Sequence, residues 1–164
     1  MQYTPSNAEA VVAGRKTLTH RVWREGDEAY VNLESWGIPD GPLTMVEGEK
    51  GHIRFEVGRV EAIQPGRGKR GIGYQRTTSI HGPHLIQEIT EEECLREGIT
   101  KHTPGLTVKH LYGNGADREY YFSAYGAFAA LWDSIYGGQK GKQWADNPRV
   151  WGIGVEYVGQ ERPR

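Results

Sequence analysis

The chain has 164 residues and a single cysteine, enough for one domain and too few thiols for a disulfide framework or a multi-cysteine zinc site. Its 20 Lys and Arg stand against 21 Asp and Glu, so net charge selects no polyanionic partner and any nucleic-acid surface has to be local. The opening Met1-Gln-Tyr-Thr-Pro5 has neither the basic flank nor the apolar core of a secretory signal, and no stretch approaches the ~20 apolar residues of a membrane span. A cytoplasmic protein with no membrane contact is expected. The 23 glycines are about twice the usual share and imply many turns, while five Trp, nine Tyr and three Phe imply an aromatic-rich core.

In chain order, Ser6-Asn-Ala-Glu9 reads as a capping box opening a short helix over Ala8 to Ala13 that Gly14 ends. Ala29 to Leu33 is a strand candidate. Ile53, Phe55 and Val57 alternate with Arg54 and Glu56 as a half-buried strand that Gly58 interrupts as a bulge. Gln64 to Gln75 is a glycine-rich loop. Thr90-Glu-Glu-Glu93 is a second capping box, whose helix Gly98 closes, and Leu106 to Tyr112 is a weaker strand. The clearest helix runs from Ser123 to Tyr136, with Tyr125, Phe128, Ala129, Trp132 and Ile135 at core-facing spacing and Gly137-Gly138 as its stop. Trp151, Ile153, Val155 and Tyr157 alternate as a final strand. Mixed strands and short helices without a βαβ rhythm predict an α+β fold, a small and strongly bent sheet or open barrel with helices packed on it.

Gly66-Arg-Gly-Lys-Arg-Gly71 spells the dinucleotide fingerprint, but Ile72-Gly-Tyr-Gln-Arg76 is no helix start, and no Walker lysine follows. The loop reads better through its charge. Arg59, Arg67, Lys69, Arg70 and Arg76 oppose only Glu61, and Tyr74 offers a stacking face, a combination suited to single-stranded nucleic acid or to a plain solvated surface. His81-Gly-Pro-His84 has a spacing metals use, yet Pro83 prevents a regular helix and no cysteine or carboxylate partner stands nearby in sequence. The pair is read as loop histidines, with no metal and no cofactor expected. In Gly14-Arg-Lys-Thr-Leu-Thr-His-Arg21, an extended chain puts Lys16, Leu18 and His20 on one face, whereas a turn after the helix would bring Lys16 to Thr19. A lysine of lowered pKa beside a hydroxyl is one way to activate a weak nucleophile, and a polar strand edge is the plainer reading.

Three blocks then resemble, in order, the ASCH superfamily of PUA-like domains, especially its phage-encoded members. They are Ala8 to Arg21 with Glu25 to Val31, Ser79-Ile-His81 with Ile89 to Ile99, and Phe128 to Ile135 through Trp144 to Trp151. The resemblance implies a single domain over 1–164, a small β-barrel with flanking helices, and loop insertions near 37–50, 64–76 and 101–121. It also implies a link to RNA or modified nucleosides. Lys16-Thr-Leu-Thr19 is similar to the catalytic Lys-x-x-Thr of the small acetylcytidine amidohydrolases of that superfamily, and Glu97 stands at the position of their catalytic Glu.

The function expected is binding of RNA, another single-stranded nucleic acid or a modified nucleoside. Lys16, Thr19 and Glu97 would border one pocket, while Arg67, Lys69, Arg70, Tyr74 and Arg76 hold backbone and bases. The alternatives are an amidohydrolase deacylating a cytidine amine through Lys16, Thr19 and Glu97, and an adaptor that binds a host protein.

Overall fold

The computed structural model describes residues 1–23, 57–104, 110–115, 117 and 119–164. Helix α1 (Pro5–Val12) is capped by Thr4, whose hydroxyl accepts from the Asn7 N–H at 3.4 Å. The cap predicted at Ser6 therefore lies inside the first turn. Pro5 has its φ preset and no N–H to leave unpaired, so the helix begins there. After Gly14 comes β1 (Leu18–Val22). The strand expected at 29–33 and all but Val57 of the alternating stretch at 53–57 lie outside the described residues. Gly58, expected as a bulge, sits in a turn before β2 (Val60–Ala62).

Strand β3 (Tyr74–Leu85) takes in Tyr74 and Gln75, which the sequence reading left in the loop. Helix α2 (Glu91–Arg96) opens as predicted: Thr90 Oγ1 accepts from Glu93 N at 3.2 Å, and Glu93 Oε2 accepts from Thr90 N at 2.8 Å. Strands β4 (Thr100–His102) and β5 (Leu111–Gly113) pair with each other, the second starting within the weak strand expected at Leu106 to Tyr112. Helix α3 (Ala124–Tyr136), capped by Ser123, and β6 (Arg149–Gly159) complete the chain.

The larger sheet is antiparallel throughout, in the order β1-β6-β3-β2. The fold is thus mixed α and β with antiparallel sheets. Among the described residues the pairings form an open run with β1 and β2 at its edges. The register of β3 on β6 shifts at three places, and each shift bends the ladder. Strand β6 is the centre of the molecule, and its two faces meet two cores. Trp151, Ile153 and Val155 pack with Tyr3, Ile63 and Ile80 against α1, while Val150 joins Phe128, Leu131 and Trp132 under α2 and α3. Burying side chains of this size contributes about 1.5–3 kcal/mol each.

The buried stripe of α3 is Ala124, Ala127, Phe128, Leu131 and Trp132, so the helix is rotated from the predicted face. Tyr125 is exposed, its ring edge-on to Trp144 at 5.0 Å, because the small side chains of Ala124 and Ala127 are the ones that let the helix approach the core closely. No helix of the described residues is long and apolar enough to cross a membrane.

Candidate functional site

The end of α1 and the end of α2 meet at the outer edge of β1. Beyond α1 the chain turns back, with Arg15 and Lys16 N–H groups both donating to Ala10 O, and Thr17 N then donates to Arg96 O at 2.7 Å. Glu97 is the C-cap of α2, and Gly98 follows at φ +100, a conformation that lets the chain reverse at once and leaves the Glu97 side chain pointing at β1. Lys16, Glu97 and His20 are all nearly fully buried.

Their hydrogen bonds close on one carboxylate. Lys16 Nζ donates to Glu97 Oε2 and, at 3.0 Å, to the Glu97 carbonyl. Glu97 Oε1 accepts from the His20 backbone N–H at 2.6 Å and lies 2.7 Å from His20 Nδ1, which places the ring hydrogen on Nδ1. Burial alone would raise the Glu97 pKa. The Lys16 ammonium and the His20 donors outweigh it and hold the carboxyl down at about 2. Burial pushes the Lys16 amine below its ordinary range, with the Glu97 carboxylate opposing the shift.

A pocket opens beside this pair, bordered by Asn7 of α1, by Lys16, Thr19, His20 and Arg21, and by Phe128, Trp132 and Tyr136 of α3. Lys16, Thr19 and Glu97, named from the sequence, thus border one concavity. Lys16 spends its ammonium on Glu97; no hydrogen bond joins it to Thr19 among the described residues. Thr19 pairs with Ile153 and His20 with Gly152, so their side chains leave β1 on opposite faces. The empty space, including what opens to solvent, is ≈ 290 Å³. The enclosed part is only ≈ 20 Å³, room for about one water, so a ring enters only as the bordering side chains move apart. Asn7, His20 and the aromatic wall of α3 were not among the site residues read from sequence. Helical spacing offered the wall as core, and nothing local marked the other two.

The basic residues do not join this pocket. Arg67, Lys69, Arg70 and Arg76 are exposed and Tyr74 is half-buried, at the end of β3 that pairs with Gly159. The loop base is held by Ile63 N donating to Gly73 O and Ile72 N to Ile63 O, around a buried Ile63, and Arg76 faces Glu156 at 3.8 Å.

His81 and His84 depart furthest from expectation, being strand residues rather than loop histidines. Across the sheet His20, Gly152 and His81 form one row, while His84 pairs with Val150. Residues 81 and 84 span three positions against two on β6, so an extra residue brings both rings to the same face. Gly82 sits in that bulge at φ +113, where an added Cβ would stand 2.9 Å from Val150 O. The two rings stack at 5.4 Å and 3°, and His20 meets each edge-on. The carboxylate partner missing from the local sequence is Glu93 of α2, with Oε1 3.4 Å from His81 Nε2. Burial and the neighbouring His20 hold both His81 and His84 below the usual histidine range.

No family model matches the chain, and no curated protein matches it. Among solved structures, it is similar to a protein of Enterococcus faecalis V583 assigned to the family DUF984. The identity is 16% and the TM-score 0.47, with 96% of this chain and 73% of the other covered. It is also similar to an ASCH domain from Lactobacillus crispatus JV V101, at 12% identity and a TM-score of 0.48, covering 93% and 70%. At these values the likeness is one of outline and carries no residue across.

Proposed function

We propose that the pocket at the β1 edge binds a nucleobase, as a free modified nucleoside or within RNA, in a single ASCH-like domain whose bent sheet belongs to a small barrel. The observation that carries this is the bonding capacity left over at the buried pair. A carboxylate offers about four acceptor positions and an ammonium three donors. Three positions of Glu97 are taken by Lys16, His20 N and His20 Nδ1, and two donors of Lys16 by Glu97. By this count one donor of Lys16 and one acceptor position of Glu97 remain unspent. That is the complement of a base edge with adjacent acceptor and amine, such as N3 and N4 of cytosine, and the aromatic residues of α3 supply a stacking wall. Arg67, Lys69 and Arg70 would extend the contact to phosphates of a longer strand.

Calorimetric titration of the full chain with cytidine, N4-acetylcytidine and uridine tests the pocket. Binding of a cytidine is expected to weaken about tenfold or more in Tyr136→Ala, with uridine the poorer ligand at every stage. Equal affinity for all three nucleosides, or none for any, would refute the reading. For RNA, replacing Arg67, Lys69 and Arg70 together by Ala should lower the slope of affinity against salt by roughly 2–3; an unchanged slope returns the loop to plain surface.

A second reading, deacylation of an acetylated cytidine amine, is favoured by Thr19. Thr19 is a buried residue bordering the pocket, and its hydroxyl makes no hydrogen bond among the described residues. In that reaction Lys16 first passes one proton to the Glu97 carboxylate, and the neutral amine then takes the Thr19 proton as Oγ1 bonds to the acyl carbon. The C–N bond breaks as the protonated Glu97 gives that proton to the departing amine, and water then adds to the threonine ester, one of its protons returning to Thr19 Oγ1 as acetate leaves. Acetate release from N4-acetylcytidine, abolished in Thr19→Val, is the result expected. Binding without turnover would leave a reader of the base.

A further inference from the structure

Three imidazoles, those of His20, His81 and His84, face one another beside Glu93. Nε2 of His20, His81 and His84 are each shielded from solvent and make no hydrogen bond among the described residues, that of His81 having only Glu93 Oε1 at 3.4 Å. Such groups are rare in folded proteins, and three together in one place call for a shared ligand. One ligand atom from each of His20, His81, His84 and Glu93 can be chosen so that all four lie within 4.8 Å of one another. From these groups we infer that the protein binds one divalent transition-metal ion of the zinc class, held by the three Nε2 atoms and Glu93 Oε1.

The surroundings are already those of ligands. The His20 side chain is completely buried, and its Nδ1–H is committed to Glu97, which leaves Nε2 as the lone-pair donor and makes Glu97 the outer-shell carboxylate that fixes the ring. Glu93 is held in the same manner. Its Oε2 accepts from Thr90 N at 2.8 Å and from the Thr90 hydroxyl at 3.0 Å, so Oε1 is the oxygen left over. Zinc–ligand bonds of 2.0–2.2 Å place tetrahedral ligand atoms about 3.3 Å apart. His81 Nε2 and Glu93 Oε1, at 3.4 Å, already have that separation, and the other ligand atoms, within 4.8 Å, draw closer as the ion binds. Gly152 is the floor of the site. An added Cβ there would stand 2.2 Å from the His81 ring, so the absence of a side chain is what lets the imidazole lie over β6. Imidazole and carboxylate without thiolate suit zinc, the buried Cys94 standing outside the cluster. Four protein ligands make the site a staple of β1, β3 and α2.

The site makes no use of the pocket's ligand, so it stands or falls separately from the nucleoside reading. The test uses the full chain, stripped with a chelator, dialysed, and titrated with Zn²⁺ alone and with Co²⁺ as a coloured substitute. One ion per chain and the intense visible absorption of four-coordinate cobalt are expected. The double variant His81→Ala/His84→Ala should lose both, and His102→Ala, an exposed residue on β4, should lose neither. Nitrogen-15 spectra of the unmodified protein give an answer free of any folding defect: zinc must shift Nε2 of His20, His81 and His84 and leave His102 in place. Failure of the chain to retain an ion, binding undiminished in the double variant, or zinc shifts confined to other histidines would overturn the site.

Discussion

Replacing Glu97 by Gln is the sharpest probe of the buried pair. The amide keeps the size of the carboxylate and removes its charge. Three donors now point at this side chain: Lys16 Nζ at Oε2, and His20 N and Nδ1 at Oε1. A glutamine can oppose an acceptor to only one of these two groups, and its NH₂ must face donors at the other. With Lys16 nearly sealed from solvent, its ammonium loses its counter-charge as well. Breaking a buried pair from one side costs about 3–5 kcal/mol, against about 0–1 for an exposed one. In a chain of this size each kcal/mol shifts Tm by about 2–4 °C, so Glu97→Gln should melt roughly 6–20 °C below the parent. Thermal unfolding in chelator, which removes any contribution from bound metal, is the assay. The double variant Lys16→Met/Glu97→Gln should recover much of the loss, because no isolated charge is left inside. A single variant within about 1 kcal/mol of the parent, or a double variant no better than the single, would refute this account of the pair.

Phe128→Ala should cost about 3–5 kcal/mol by chemical denaturation, since the ring is 2% exposed and packs against both Trp132 and Trp144. Gly152→Ala should leave a folded protein that no longer gives the cobalt absorption, because its methyl group occupies the place of the His81 ring. Cys94 is fully buried and its thiol is pushed up to about 12, chiefly by burial and then by Glu97. Ellman's reagent should therefore give no colour at pH 8 until denaturant unfolds the chain.

What could be read in advance was what neighbouring residues decide among themselves. Thr90 and Glu93 are three apart and cap α2 whatever surrounds them, and Ser123 followed by an unbroken apolar period defines α3 with its end at Gly137. The rotation of α3 was not readable, because its phase depends on how near its alanines let it come to the elements beneath. Lys16 and Glu97 are 81 positions apart and were joined only through a resemblance; the carboxylate's second contact, His20, carried no mark of its own.

The histidine cluster shows most plainly why local reading stops short. In a regular strand residues 81 and 84 point to opposite faces, so the spacing His-Gly-Pro-His argues against a shared ligand as long as the strand is taken to be regular. One extra residue in β3 reverses that conclusion, and a bulge is a property of two paired strands rather than of either alone. His20 and His81 then meet because both pair with Gly152, a residue with no side chain to signal a site. Glu93 had its carboxylate assigned to a helix cap, and only one of its two oxygens is used there. Each of the four groups had a sufficient structural explanation by itself, and three shielded nitrogens without a hydrogen bond are what those separate explanations leave over.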